Sequence, residues 1–484
     1  MPDTPKQPSF WKRILAGAAL ILIASTTGSA AFAFHELDKI VDALAGRGPT
    51  LDLGRELALA ESGHPQTIML LGSDERAESI RESNPSFAGE PRSDTVILVR
   101  LDPDKGATAL MSLPRDLKVN IPGHGTDRLN AAYEIGGPKL TLQTVKELTG
   151  LRINHVINVD FGGFIKAVNQ LGCVYTDVDR DYFSEGIEFA YININPGYQR
   201  LCGEDALSYV RFRREDNDLV RGARQQDFLR QAKHQISIRQ LFEERNELFR
   251  IFGNNTESDI DTREETIRLI KLVVGAFDED FREVHFEGEV GRSYVTASDE
   301  QVKELTQDFL GVRDTEGSRA GDRPSEGKDG GKDEQKDDGL TLDDATADGQ
   351  AQAQQVDAQG VKFPVFYPTQ EVPGTIFPGE PSVYSIPVEG ENETAGAYRI
   401  VMNTGLVGEY YGLQGLEWKD PPILEDPTAT REIDGREYRL YYDGDRLRLV
   451  AWENRQAVYW VANTLLQTLS EEEMLAIATS AREL

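Results

Sequence analysis

The sequence predicts a mixed α/β, or α+β, sandwich as its main body. Between residues 66 and 311, short apolar and β-branched runs alternate with stretches of helical periodicity, without one strict repeat. The strand-like runs are bounded by turn-forming residues, and two of them are joined by a hairpin signal. Composition then breaks sharply, and aromatic residues with strand-like alternation return only near residue 363. A chain of 484 residues has room for two such cores and a linker between them.

At the amino end, Lys6, Lys12 and Arg13 precede residues 14–34, ILAGAALILIASTTGSAAFAF, which carry no charge. About 20 apolar residues cross a bilayer core as a helix, and the basic flank stays on the cytoplasmic side. The expectation is a cytoplasmic tail (1–13), one transmembrane helix (14–34) and an extracytoplasmic remainder at the cell membrane. Small residues near the end of the run also suit a cleaved signal peptide, but the length of the run favours a retained anchor. Residues 35–65 form a stalk, helical to about residue 61 on the spacing of Leu37, Ile40, Val41 and Leu44.

Strands are expected at 67–72, 95–101 and 107–113, the last two joined through Asp102-Pro-Asp-Lys-Gly106. Residues 129–148 read as one or two helices, 155–159 as a strand and 162–171 as a helix. Further helical segments over 219–244 and 262–277, and a strand near 283–286, complete a domain spanning 66–311. Residues 312–360 are dominated by Gly, Asp, Lys, Glu, Gln and Ala and read as a disordered linker. A second α+β unit occupies 361–484. In it Asp443-Gly444 joins alternating runs at 436–443 and 447–452, and 457–469 and 471–479 have helical character. No reactive constellation stands out in that unit.

The formal net charge of −30 argues against a nucleic-acid partner, which asks for a basic face. Against that background residues 210–228, VRFRREDNDLVRGARQQDF, gather five arginines. Guanidinium forks meet phosphate or carboxylate oxygens in pairs and stay charged. Arg221, Arg224 and Gln225 fall at i, i+3 and i+4 and share a helix face. Asp218 is placed to cap that helix, whose N-terminal amides then face the same anion. Taken alone, the stretch is equally a solvated helix with surface ion pairs.

Asp74 follows the first strand and Asp94 precedes the second. If those strands are neighbours, both carboxylates stand at one sheet edge, an arrangement that suits Mg2+ with positions left for phosphate oxygens. Arg92 and Arg115 also fall at strand ends, although any of these residues alone is ordinary loop polarity. Cys173 and Cys202 are the only cysteines and read as a disulfide of an exported domain. The six histidines are too scattered to suggest a zinc site or a catalytic cysteine, and no Walker loop or dinucleotide fingerprint is present.

Taken together, LLGSD (70–74), RSDT (92–95), SLPRD (112–116), RLNAAY (128–133), Gly136-Gly137, VDFGGF (159–164), PGYQRLCGEDALSYVRFR (196–213) and DNDLVRGARQQDF (216–228) resemble the LytR–CpsA–Psr family. The resemblance covers residues 66–311 in the family's order, and the anchor and cysteine pair fit its actinobacterial branch. It implies a central mixed sheet flanked by helices. It also implies a phosphotransferase that moves a polyprenyl-pyrophosphate-linked glycopolymer onto peptidoglycan through a phosphodiester bond.

By the same resemblance Mg2+ is the cofactor and Asp74 and Asp94 are its carboxylates. Arg92, Arg115, Arg128, Arg211, Arg213, Arg221, Arg224 and Gln225 match the pyrophosphate-binding set, with Arg128 standing where the family often has Lys. Asp94, Asp218 and Arg221 are the candidates for catalysis, with Asp94 or Asp218 as the base. These residue types suit phosphoryl transfer, which asks mainly for positioning and charge neutralisation. Two other readings stay open: a phosphatase releasing the polymer to water, and a non-catalytic lipid-binding or regulatory envelope protein. Arg214 matches no motif and is left to solvent, and residues 361–484 have no counterpart in the family core.

Overall fold

The computed structural model describes residues 50–484 except 60, 62, 74–92, 104, 106, 186–190, 215, 261, 276–279, 312–339 and 389–392. The expected transmembrane helix and residues 35–49 of the stalk lie outside the described residues. Among the described residues no helix is long and apolar enough to cross a membrane.

In chain order the first domain begins with β1 (Gln66–Ser73), β2 (Ser93–Asp102), β3 (Ala107–Leu113), the small hairpin β4 (Lys118–Ile121) and β5 (Gly125–Arg128), α1 (Leu129–Thr149), β6 (His155–Asp160) and α2 (Phe161–Gln170). It continues through β7 (Val174–Val178), β8 (Tyr182–Ser184), β9 (Ile192–Ile194), β10 (Gly197–Leu201), α3 (Gly203–Arg211) and α4 (Asp218–Gln235). It closes with α5 (Ile238–Glu243), α6 (Arg245–Asn255), β11 (Thr256–Ser258), α7 (Arg263–Gly275), β12 (Asp280–Val284), β13 (Glu289–Val290), β14 (Val295–Thr296) and α8 (Asp299–Phe309).

Six of these strands form one mixed sheet in the order β11-β6-β1-β2-β3-β12. β1 runs antiparallel to β2 and parallel to β6. Alternate residues of a strand face opposite sides, and here both sides are covered. Met69, Leu71, Val96, Leu98 and Met111 enter the main core with Leu142 and Val145 of α1. Ile68 and Leu101 face the other way, toward Leu272 of α7.

Helix α1 is broken at Gly136 and Gly137. Gly137 has a φ of 60°, which favours glycine, and Pro138 starts the second half, where its missing N–H costs nothing. The expected disulfide is present between Cys173 and Cys202. It staples the base of the β7–β10 ladder, where Val174 pairs with Leu201.

Three expectations are corrected. The described part of the stalk, 50–59, is not helical beyond a 3-10 turn at Gly54–Glu56. Leu53 is instead buried in the main core, so apolar spacing there serves packing against the sheet domain. Residues 340–360 are not a disordered linker. They carry β15 (Asp343–Asp344) and α9 (Thr346–Ala358), and Ala353 and Val356 are fully buried. Small residues let this helix pack very close: a Cβ on Gly349 would fall 2.3 Å from the Pro368 carbonyl oxygen. A composition poor in large apolar residues therefore hid it.

The second domain continues with β16 (Phe366–Tyr367), β17 (Gln370–Glu371), β18 (Ser382–Pro387), β19 (Thr394–Asn403), β20 (Tyr410–Leu416), β21 (Ala429–Ile433), β22 (Arg436–Asp443), β23 (Arg446–Glu453), β24 (Val458–Ala462), α10 (Glu471–Ser480) and β25 (Arg482–Glu483). Its seven-stranded sheet has the order β18-β19-β20-β24-β23-β22-β21. The third correction falls here, because 457–469 is not a helix. Val458–Ala462 is a central strand buried along its whole length, and a short run apolar on both faces cannot be told from a buried helix by periodicity.

One face of this sheet packs under α9 and α10. The other packs on the first domain, where Tyr175 and Tyr198 of the β7–β10 ladder share a core with Leu416, Leu449 and Trp460. Polar bonds cross the same seam. Asp177 Oδ2 accepts from Arg399 Nη1 at 3.2 Å and from Trp460 Nε1 at 3.1 Å, and Tyr175 Oη donates to the Pro387 carbonyl at 2.9 Å.

Candidate active site

The end of β1, the start of β2 and the end of β3 lie side by side. Ser73 pairs with Ser93 next to an irregularity in the ladder, Gly72 with Thr95, and Val96 with Leu113. The first two strands are therefore neighbours, as the placement of Asp74 and Asp94 requires. Asp94 is a strand residue at this sheet end. Asp74, Arg92 and the side chain of Asp94 lie outside the described residues.

Helix α4 is laid across this end. A Cβ on Gly222 would sit 3.1 Å from Ser112 Oγ, so a glycine permits the close approach. The helix cap differs from expectation. Asn217 is the N-cap, its Oδ1 accepting from Val220 N at 3.0 Å, and Asp218 is the first helical residue. A shift of one residue, about 100° of helix phase, turns the Asp218 carboxylate sideways. Its Oδ2 accepts from Asp116 N at 2.9 Å, and its Oδ1 lies 3.1 Å from Arg221 Nη2.

Asp116 completes the group. Its Oδ1 lies 3.6 Å from Arg115 Nε and 3.7 Å from Arg128 Nη1. Burial first, and then the Asp218 carboxylate, push Asp116 above the usual carboxylate range, against the pull of Arg115, Arg128 and Arg221. Arg128 is also stacked on the Tyr294 ring at 5.7 Å, and Arg211 lies over Phe161 at 3.9 Å. Phe161 opens the FGGF helix, which Asp160 caps by accepting from Gly163 N at 2.6 Å. Arg213 is half-buried, and Arg214 is exposed, as expected.

Two residues matched to the pyrophosphate set are placed elsewhere. Arg224 is 0% exposed. Its Nε donates to Tyr182 Oη at 3.0 Å, its Nη1 to the carbonyls of Tyr209 and Phe212 at 3.2 and 3.0 Å, and its Nη2 bonds Asp216. A helix leaves its last carbonyls without partners, and Arg224 fills that role at the end of α3. Gln225 is likewise inside, its Nε2 donating to Thr95 Oγ1 and the Val210 carbonyl, each at 3.1 Å. Both hold the frame of the site. The i, i+3, i+4 spacing put them on one face with Arg221, but it could not say how deep that face lies.

Asp116, Asp216 and Arg180 were not singled out from the sequence. Asp116 and Asp216 stand inside the quoted motifs, so a signal existed. Arg180 has none, since nothing in its neighbourhood links it to residue 216, to which it donates at 2.7 Å.

The model of the LytR_cpsA_psr family matches residues 31–308. A polyisoprenyl-teichoic acid–peptidoglycan teichoic acid transferase of Oceanobacillus iheyensis, TagU, is 28% identical over 62% of this chain and 94% of its own. TagT of Bacillus subtilis, which carries the same description, is 32% identical over 45% of this chain and 68% of its own. The probable cell wall biosynthesis protein LcpB of Corynebacterium glutamicum is 39% identical over 33% of this chain and 39% of its own. With more than half of its length matched, the chain belongs to the LytR–CpsA–Psr family.

Proposed function

We propose that this protein is an envelope phosphotransferase that moves a glycopolymer from polyprenyl pyrophosphate to peptidoglycan. The relatives' descriptions name that type of reaction, with teichoic acid as their polymer. The observation that carries the reading is the meeting of Arg115, Arg128 and Arg221 with the Asp116–Asp218 pair at one sheet end. A pyrophosphate spreads charge over its oxygens, and planar cations at fixed positions neutralise it best.

In the reaction a peptidoglycan hydroxyl oxygen forms a bond to the glycan-side phosphorus. The bond from that phosphorus to the bridging oxygen breaks, and polyprenyl phosphate leaves with the electron pair. Arg115, Arg128, Arg211, Arg213 and Arg221, with Arg92, serve the phosphate oxygens, while Arg224 and Gln225 hold the frame. The hydroxyl proton needs an acceptor. Of the carboxylates at this end, Asp218 is committed to Asp116 N and Arg221, whereas Asp116 is raised above the usual carboxylate range, the direction that favours taking up a proton. Asp116 therefore joins Asp94 as a candidate.

Two carboxylates without soft donors, Asp74 and Asp94, fit a hard cation, and the pairing of β1 with β2 brings the ends of their strands together. Mg2+ held there would supply charge neutralisation to the pyrophosphate. The uncharged 14–34 run and the disulfide support an anchored protein with its bulk outside the cell.

The test uses the full chain in detergent with labelled lipid-linked glycopolymer, MgCl2 and peptidoglycan oligomers. Label should enter the oligomers, and Arg221→Ala should slow its entry about 10²–10³-fold. Label appearing as free polymer would make the protein a phosphatase. Lipid binding without turnover would make it a binding protein.

A further inference from the structure

The second domain reaches the candidate active site. The connection from β19 to β20 brings Gly408 against Val220 in the first turn of α4, where a Cβ would fall 2.4 Å from Val220 Cγ2. At the start of β20, the Tyr410 ring lies over the Arg180 guanidinium at 5.1 Å. Arg180 is buried two residues beyond β7 and is also stacked on Tyr182 at 4.8 Å and Phe212 at 5.5 Å. Its Nη2 donates to Asp216 Oδ1 at 2.7 Å, and the other oxygen of Asp216 bonds Arg224.

Two buried guanidinium groups thus share one carboxylate. Their repulsion has to be offset locally, and the aromatic faces do part of that. Tyr182 serves both cations, with Arg224 at 4.6 Å from its centroid. Tyr410 is the ring that comes from the second domain. Arg224 in turn fixes the end of α3 through the carbonyls of Tyr209 and Phe212. Arg211 and Arg213 leave from that end, and Arg221 lies one turn before Arg224 on α4. A small misplacement of such groups is costly in positioned chemistry, up to about 10²-fold for 1 Å.

We infer that Tyr410 and Arg180 are positioning residues for the transfer reaction. Through Asp216 and Arg224 they hold the turn between α3 and α4, and so aim Arg211, Arg213 and Arg221 at the pyrophosphate. The second domain is then part of the active-site frame and not an independent accessory. This rests on the anion-site reading above and adds to it a role for residues 340–484.

The contact can be tested without detaching the domain, because the seam is held separately by Asp177 with Arg399 and Trp460. The probe is geranyl pyrophosphate with MgCl2, titrated calorimetrically into the full chain, with melting temperatures taken in parallel. Tyr410→Leu keeps apolar volume but loses the ring face, and should weaken binding about tenfold with little change in melting. Tyr410→Phe keeps the ring and should bind within about twofold of wild type. Arg180→Lys keeps the charge but not the planar fork, and should repeat the tenfold loss by a second route. Arg221→Ala is the control for the site itself. If Arg221→Ala binds like wild type, the anion-site reading fails. If it loses binding while Tyr410→Leu or Arg180→Lys does not, or if Tyr410→Phe falls as far as Tyr410→Leu, the positioning inference alone is overturned.

Discussion

Helix α4 carries arginines toward both ends, and the two ends meet opposite surroundings. Near the amino end, Arg221 belongs to a group that grades outward: its side chain is 4% exposed, while that of Arg128, on the other side of Asp116, is 41% exposed. Farther along, Arg230 bonds Asp227 and lies 2.6 Å from Glu283 and 3.6 Å from Asp443, all sealed beneath the second domain. Glu283, His285 and Asp443 have ligand-type atoms within 4.8 Å of one another, but Arg230 already supplies the cation there. The same kinds of side chain therefore make a candidate site at one end and a seam at the other. What separates them is whether a second layer of protein covers the cluster. A covered cluster must be neutralised by the chain's own charges, and an uncovered one stays open to an anion.

The sharpest way to break that comparison is to truncate one arginine from each end. Arg230→Ala removes one of the two buried cations, Arg230 and Arg448, that face Glu283 and Asp443, a loss of about 3 kcal/mol, the low end for a broken buried pair because Arg448 remains. Urea unfolding of the full chain should show it as a lowered midpoint. Arg221→Ala also breaks a buried pair, with Asp218, and should lower the midpoint too, but it alone should lower transfer. Equal midpoints for Arg230→Ala and wild type would mean that the seam is not held electrostatically.

This difference between the ends was not legible in the sequence, and the reason is physical. Strands β1 to β3 could be read because β-branched runs and an Asp-Pro-Asp-Lys-Gly turn are local signals. The sequence leaves 129–148 open between one helix and two, and the structure breaks α1 at Gly136 and Gly137, ahead of Pro138. Family motifs put Arg115, Arg128 and Arg221 in one candidate set, and the fold brings the three together at one sheet end. Depth is a different matter. Arg224 and Gln225 share the spacing of Arg221 yet are buried, because Tyr182 and Thr95 approach from elements far away in the chain. Arg180 owes its role to Tyr410, more than two hundred residues later, and no local pattern encodes such a contact. The strand at Val458–Ala462 and the helix at Thr346–Ala358 were missed for the complementary reason. Burial on every side removes the alternation of one, and small residues remove the apolar face of the other.

The disulfide offers an intermediate perturbation, because it staples the ladder on which the second domain rests. Cys173 and Cys202 are 29 residues apart, and a loop of that size adds about 3–4 kcal/mol in the chain-entropy model. The paired Cys173→Ser and Cys202→Ser variant should lose roughly that amount in urea unfolding. The loss should be accompanied by faster proteolysis of the full chain only if the two domains separate as the ladder loosens. Unchanged stability would show that the seam core of Tyr175, Tyr198 and Trp460 suffices without the staple.

The smallest expected effect concerns pH and belongs to the seam alone. Burial first, and then Asp443, push Glu283 up to about 8 against the pull of Arg230. A carboxyl raised from 4.5 to about 8 holds its proton longer in the folded chain than in the unfolded one. Its contribution to stability is therefore complete below about pH 4.5 and lost as pH rises toward 8. His285 works in the opposite sense. Burial, helped by Arg446 and Arg230, pushes it down to about 4, so its contribution is complete above 6.5 and lost as pH falls through 4. Between pH 6.5 and 8 only Glu283 of this pair still titrates. Wild-type stability should decline across that interval, and Glu283→Gln, which keeps the side chain's shape but does not titrate, should flatten the decline. Urea midpoints at pH 6.5 and 8 measure both slopes. Parallel slopes would mean that Glu283 does not titrate in this interval, as when it is already ionised beside Arg230, and would remove it as the source.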